Sequence, residues 1–234
     1  MVDRGIGRRT FLTSAIATSA SLVLGCDPRK PRTKWLGAME RWNERGERGL
    51  FSGSRTAPTA RAADLTAPDA FPEYYLADEV PLAPAGWVLQ VRGLVDRPAD
   101  FSLEDLQRMT RTDVRVEHHR VEGWSAVAAW HGVQLRELAR VVGARPDARF
   151  VEFRSFDAGY WSSWDRESVD HPQTLLASGM NGAPLTPGHG APLRLYGAVK
   201  LGYKSVKYLT RVTFLPEATG GYWEDLGYEW YAGV

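Results

Sequence analysis

A single cysteine, Cys26, occurs in the 234 residues, and this narrows the possible folds more than any other feature. The chain cannot close an intramolecular disulfide, build a Cys-based zinc site or hold an iron–sulfur cluster. The C-x-x-C-H signature of covalent haem is missing as well. The fold must therefore be held by its own apolar core, for which this length and 44% hydrophobic content suffice. Basic and acidic residues nearly cancel, 29 against 28, so no counterion-displacing face for nucleic acid is expected.

Residues 1–26 read as an export signal. Arg4, Arg8 and Arg9 precede an uncharged run from Phe11 to Gly25, which is too short for the ~20 residues that span a bilayer. Gly7-Arg8-Arg9-Thr10-Phe11-Leu12 fits a twin-arginine signal, the route for proteins exported already folded. Leu24-Gly25-Cys26 resembles a lipobox, which makes Cys26 a candidate lipid anchor. The expected location is the periplasm, or the outer side of the cytoplasmic membrane.

Residues 27–70 read as one helix, marked by Trp35, Met39 and Trp42, followed by an extended arm. Residues 71–234 form the main domain. Alternation predicts strands over 87–95, 114–121, 150–156, 191–197 and 206–215. Ser102 with Asp105 opens a short helix through Met109, and Gly143 closes another begun at Leu135. Pro172 suits the first turn of a helix over 171–178, and Asn181-Gly182 marks a tight turn. The expected class is α+β, with mixed sheets and short helices.

The five histidines show no zinc-protease spacing, and no nucleophile elbow, Walker loop or dinucleotide fingerprint occurs. Two stretches are suited to an anion. His189 and Arg194 bracket Gly190, and Lys200, Lys204 and Lys207 surround Gly202 and Ser205. Arginine gives forked donors to a phosphate and lysine a point charge, while backbone N–H groups could add a nest. From composition alone, a basic turn facing water is the simpler reading.

An ordered series of blocks resembles the sulfite-oxidase-like molybdopterin oxidoreductases, in their bacterial exported branch. These are Val121-Glu122-Gly123-Trp124-Ser125, Ser155-Phe156-Asp157-x-Gly159-Tyr160, His171-Pro172-Gln173-Thr174, Met180-Asn181-Gly182, His189-Gly190-Ala191-Pro192-Leu193-Arg194, Leu201-Gly202-Tyr203-Lys204 and Gly220-Gly221-Tyr222-Trp223-Glu224. The resemblance implies a sulfite-oxidase fold holding one molybdenum–molybdopterin. It implies that His189 and Arg194 contact the pterin and its phosphate, with Ser205, Val206 and Lys207 cradling that phosphate. Ser155 matches a cofactor-contacting hydroxyl, Tyr75 a residue lining the pterin, and Tyr160 an active-site tyrosine near the metal. A small oxyanion or an S- or N-oxide is the implied substrate, with electrons exchanged through a membrane or soluble cytochrome.

One departure is chemical. Arg120 stands where the family carries the cysteine that ligates molybdenum, and a guanidinium has no lone pair to offer. Three outcomes stay open: a metal held by the pterin alone with Arg120 as electrostatic partner to an anionic substrate; a pocket that binds without turnover; or a redox-inactive lipoprotein that binds a partner. Replacing Arg120 by Cys is expected to raise molybdenum retention and create a thiolate–metal absorption band. A variant indistinguishable from the parent would remove Arg120 from the metal's side.

Overall fold

The computed structural model describes residues 34–67, 70–119, 123–157 and 159–234. The chain divides into two compact units, 1–38 and 39–234. Of the first, only the opening of helix α1 (Lys34–Leu50) is described. The export signal and Cys26 lie outside the described residues. Among those described, no helix is long and apolar enough to cross a membrane. Within the second unit, Met39 and Trp42 of the expected apolar stripe are 59% and 75% exposed, so these two side chains do not face a core.

Among the described residues the arm that follows forms no strand, and its backbone is satisfied piecemeal. Ala60 N–H donates to the Arg115 carbonyl at 3.0 Å and Thr66 N–H to that of Val127 at 3.0 Å. Both amide groups of Gln173 serve Ala57. Side chains thereby meet the requirement that buried main-chain groups be paired.

Two five-stranded sheets carry the main body. The first runs β2 (Ala99–Phe101), β1 (Leu89–Gly93), β10 (Leu209–Leu215), β5 (Phe150–Ser155), β6 (Trp161–Asp165); β1 and β10 are parallel and the other pairs antiparallel. The second runs β3 (Arg111–His119), β4 (Ser125–Gln134), β7 (Thr174–Met180), β8 (Ala183–Pro184), with β9 (Arg194–Gly197) also on β7. On β3, Val114, Val116 and His118 are buried while their neighbours are not, the expected period of two. Helix α2 (Leu103–Gln107) begins at a Ser102–Asp105 capping box. Helix α3 (Leu135–Val142) ends at Gly143, whose φ of 65° is the left-handed turn that glycine permits.

The expected helix over 171–178 is not there. Helix α4 (Arg166–Asp170) stops before Pro172, and Thr174 begins β7. Leu175 and Ala177 enter one core cluster and Leu176 the other, so β7 is buried on both faces. Such a strand loses the alternation that identifies it in sequence.

Helix α5 (Tyr222–Asp225) and the segment after it are clamped by two buried lysines. Lys200 Nζ donates to Asp165 Oδ2 at 3.2 Å and the Tyr231 carbonyl at 2.7 Å. Lys204 Nζ donates to a Glu224 oxygen, the Ser163 carbonyl at 2.9 Å and the Trp230 carbonyl at 2.7 Å. Burial pulls the Lys200 ammonium down to about 8, against the pull of Asp165. Burial alone would raise Asp165, but Lys200 and the Ser168 bonds outweigh it and leave the carboxyl below its ordinary value. Asp165 therefore contributes stability at neutral pH that is lost on acidification through that lowered pKa. Removing one partner of a fully buried pair strands the other, so Lys204→Met is expected to cost about 3–5 kcal/mol in chemical denaturation. Removing both charges with Lys204→Met/Glu224→Leu should cost much less.

Candidate functional site: a cationic cavity

A cleft with about 30 Å³ of enclosed room lies where the β5–β6 turn, the start of β9, the 202–208 loop and the 74–76 segment converge. Tyr75, Ser155, Tyr160, Arg194, Ser205 and Lys207, all singled out from sequence, line it. The antiparallel pairing of Leu209 with Ser155 places the end of β5 beside the 205–208 loop. Arg194, the first residue of β9, is 6% exposed; its Nη1 donates to the His189 carbonyl at 3.1 Å and its guanidinium lies 4.7 Å from the Trp130 ring centroid. Lys207 Nζ donates to the Gly188 carbonyl at 2.7 Å and lies 5.8 Å from the Tyr75 ring centroid. Gly190, at φ 100°, makes room for the Lys207 stem, since a Cβ there would sit 2.9 Å from Lys207 Cβ.

His189 is buried behind this wall, edge-on to Phe71, with Nε2 3.8 Å from Glu73 Oε1. It bears on the cavity through the carbonyl that orients Arg194. Burial holds its imidazole below the ordinary pKa; Glu73 opposes this, and Arg194 and Lys207 reinforce it. The ring is thus neutral at pH 7.

Some of the groups singled out from sequence are committed to the protein's own packing. The Val206 side chain is fully buried in the apolar core and its carbonyl accepts from Leu195 N–H, so the side chain does not reach the cavity. Ser205 N–H is spent on the Gly202 carbonyl at 3.1 Å, which leaves its hydroxyl, not its amide, for an anion. The Tyr160 hydroxyl donates to the Tyr203 carbonyl at 2.6 Å and anchors the 202–204 turn. Lys200 and Lys204 turn inward, so of the three lysines only Lys207 belongs to the cavity. Arg120 lies outside the described residues.

Sequence reasoning missed Asp157 and Tyr208. Asp157 sits in a quoted motif; its Oδ2 accepts from Leu76 N–H at 2.8 Å and fastens the 74–76 segment in the cavity wall. Tyr208 has φ 57°, costly for a non-glycine residue, and this conformation is paired with a ring that lines the cavity. Burial, with Asp157 adding to it, raises the Tyr208 hydroxyl pKa and keeps it a donor at neutral pH.

The donor set defines a ligand class. Ser205 Oγ and Tyr208 Oη are buried without a protein hydrogen-bond partner beside two cationic side chains. A phosphate oxygen completes such a site, while an apolar ligand leaves it unsatisfied. The phosphate end of a pterin cofactor fits. The metal end does not find its ligand, because the chain's one thiol is Cys26. Among the described residues, no three His, Cys, Asp or Glu side chains gather to hold a metal.

A two-sheet α+β domain with a cationic, hydroxyl-lined cavity between its loops is the class of protein these features define. The chain belongs to the oxidoreductase molybdopterin-binding domain family, whose model matches residues 77–223. It is a sulfite-oxidase-like member of these molybdenum-dependent oxidoreductases. A protein of Azospira oryzae named for a protein-methionine-sulfoxide reductase subunit, YedZ1, is 36% identical over 231 residues, covering 97% of this chain and 87% of its own. The protein-methionine-sulfoxide reductase catalytic subunit MsrP of Xanthomonas axonopodis pv. citri is 31% identical over 247 residues, covering 94% of this chain and 73% of its own. The sulfane dehydrogenase SoxCD from Paracoccus pantotrophus superposes with a TM-score of 0.56 at 25% identity, covering 59% of this chain and 40% of that one.

Arg194→Ala is expected to lower the pterin recovered per chain about tenfold, the size of one lost charge-assisted contact. Unchanged pterin content would move the phosphate away from Arg194.

Proposed function

We propose that this chain is an exported reductase that binds molybdopterin and removes oxygen from an S-oxide outside the cytoplasm. The observation that carries the reading is the pair of buried, unpartnered hydroxyls of Ser205 and Tyr208 facing Arg194 and Lys207. The names of the relatives support an S-oxide over the other substrates of the family. The twin-arginine pattern supports export after folding, and Gly25-Cys26 supports a lipid anchor.

Arg194 and Lys207 would neutralise the phosphate, Ser205 and Tyr208 would donate to it, and Tyr75 would flank the pterin. Asp157 holds the Tyr74–Leu76 segment in the cavity wall through the Leu76 amide. Neutral His189 leaves Arg194 and Lys207 to carry the charge. Bound there, the cofactor would supply the two-electron centre that deoxygenation needs. Two electrons, delivered by a membrane subunit or cytochrome, and two protons convert the S-oxide to a thioether and water.

The lack of a cysteine other than Cys26 favours a second reading, in which the cavity holds the pterin but the protein does not turn over. Protein exported from a cofactor-competent host separates the two. Pterin and molybdenum each near one per chain, with a reducible signal, establish the enzyme. Pterin without stoichiometric metal establishes the redox-silent reading. A pterin-free preparation would overturn both.

A further inference from the structure

Helix α1 carries an uncovered apolar face. From Met39 onward it is fastened to the 229–233 segment: Asn43 Nδ2 donates to Glu229 Oε1 at 2.9 Å, and Gly233 N–H donates to Glu47 Oε2 at 3.1 Å. The Arg48 guanidinium adds to this contact, 5.4 Å and 5.3 Å from the ring centroids of Trp230 and Tyr231. Met39, Trp42 and Leu50, at i, i+3 and i+11, fall on one side of the helix. Among the described residues, Leu50 at 84% and Trp42 are the most exposed large apolar side chains. Single exposed apolar residues are ordinary, but these two with Met39 on one helix face mark a contact surface.

Charge says what could cover it. Glu44 and Glu47 are half-buried, and Glu47 is spent on Asn43 and Gly233, whereas Arg45, one turn after Trp42, is exposed. Ahead of the helix, Asp27-Pro28-Arg29-Lys30-Pro31-Arg32-Thr33-Lys34 carries four basic residues against one acidic. Over 27–50 the balance is seven to four, and the next charge beyond, Arg55, is again basic. An exposed tryptophan and aliphatic side chains edged by arginine, in a basic stretch, suit a helix lying in the plane of an anionic bilayer surface. A second copy suits the face less well, because in a two-fold pair the same basic patch meets itself. The chain also ties this helix to a candidate anchor. Eight residue steps separate Cys26 from Lys34, so an acyl chain on Cys26 would keep the start of α1 within about 30 Å of the surface.

We propose that helix α1 docks flat on an anionic bilayer, with Met39, Trp42 and Leu50 in the headgroup boundary and Arg45 on lipid phosphate. To the lipid anchor proposed above, this adds a second contact that sets how the domain stands. Glu229 and Gly233 hold the helix, and the Trp230 carbonyl between them accepts from Lys204, whose loop enters the cavity wall. The bilayer would therefore hold the cavity at one orientation.

A local probe tests it. The full chain with Cys26→Ser and Met39→Cys has one thiol, which carries an environment-sensitive fluorophore; a control carries it at Glu104→Cys, exposed on helix α2. With phosphatidylglycerol vesicles, the probe at 39 is expected to shift to the blue and to be quenched by lipids brominated high in the acyl chain. The probe at 104 should do neither. Trp42→Glu and Arg45→Gln should each lower the docked-to-undocked ratio at position 39 about fivefold or more, with the fold and pterin content unchanged. High salt should lower it too. A probe at 39 that stays unquenched, or one quenched equally by neutral phosphatidylcholine vesicles, would overturn the docking. A blue shift without vesicles, together with a doubled mass, would give the face to a second copy and overturn it as well. Acylation of Cys26 is read separately, on the unaltered chain; its absence beside a quenched probe would sink the anchor and leave the helix contact standing.

Discussion

Lys204 and Lys207 lie three residues apart and point opposite ways, and the architecture of the site depends on that divergence. Lys204 is drawn fully inside, where Glu224 and two main-chain carbonyls take its three protons. Once this ammonium is fixed, the loop after it has little freedom. Ser205 presents its hydroxyl, and Lys207 emerges along Gly190 towards Arg194. A buried ion pair adds little net stability when set against an apolar substitute of equal volume. Its value here is positional, because it decides which lysine the ligand meets.

Much of the fold could be read from single positions. Ser102, Asp105 and Gly143 state helix ends in local chemistry, and β3 shows its buried face as plain alternation. What could not be read was a strand with apolar neighbours on both sides, as in β7. The site divided along a similar line. Residue types that hold an anion were visible because their chemistry is unusual in a turn. The direction of each side chain was not, since Lys200 and Lys207 look alike until a carboxylate is known to lie beneath one of them. Val206 shows the same limit: in a phosphate-binding sequence it serves the core.

The metal end departs from the rest of the molecule. Around the phosphate, cations, hydroxyls and a segment held by Asp157 form a consistent set. Cys26 is the chain's single thiol, and among the described residues no cluster of His, Cys, Asp or Glu stands ready to hold a metal. The residues suited to a phosphate contain no thiol, so cofactor retention and sulfur ligation can be separated experimentally.

The parallel pairing of β1 with β10 joins residues near 90 to residues near 212. Such long-range contacts form late, because a large loop must close before they repay its entropy. The cavity is walled by Tyr74 at one extreme and Tyr208 at the other, so it is incomplete in any nascent chain that has not yet reached Tyr208. Any ligand that needs the whole wall must therefore wait for a nearly finished polypeptide.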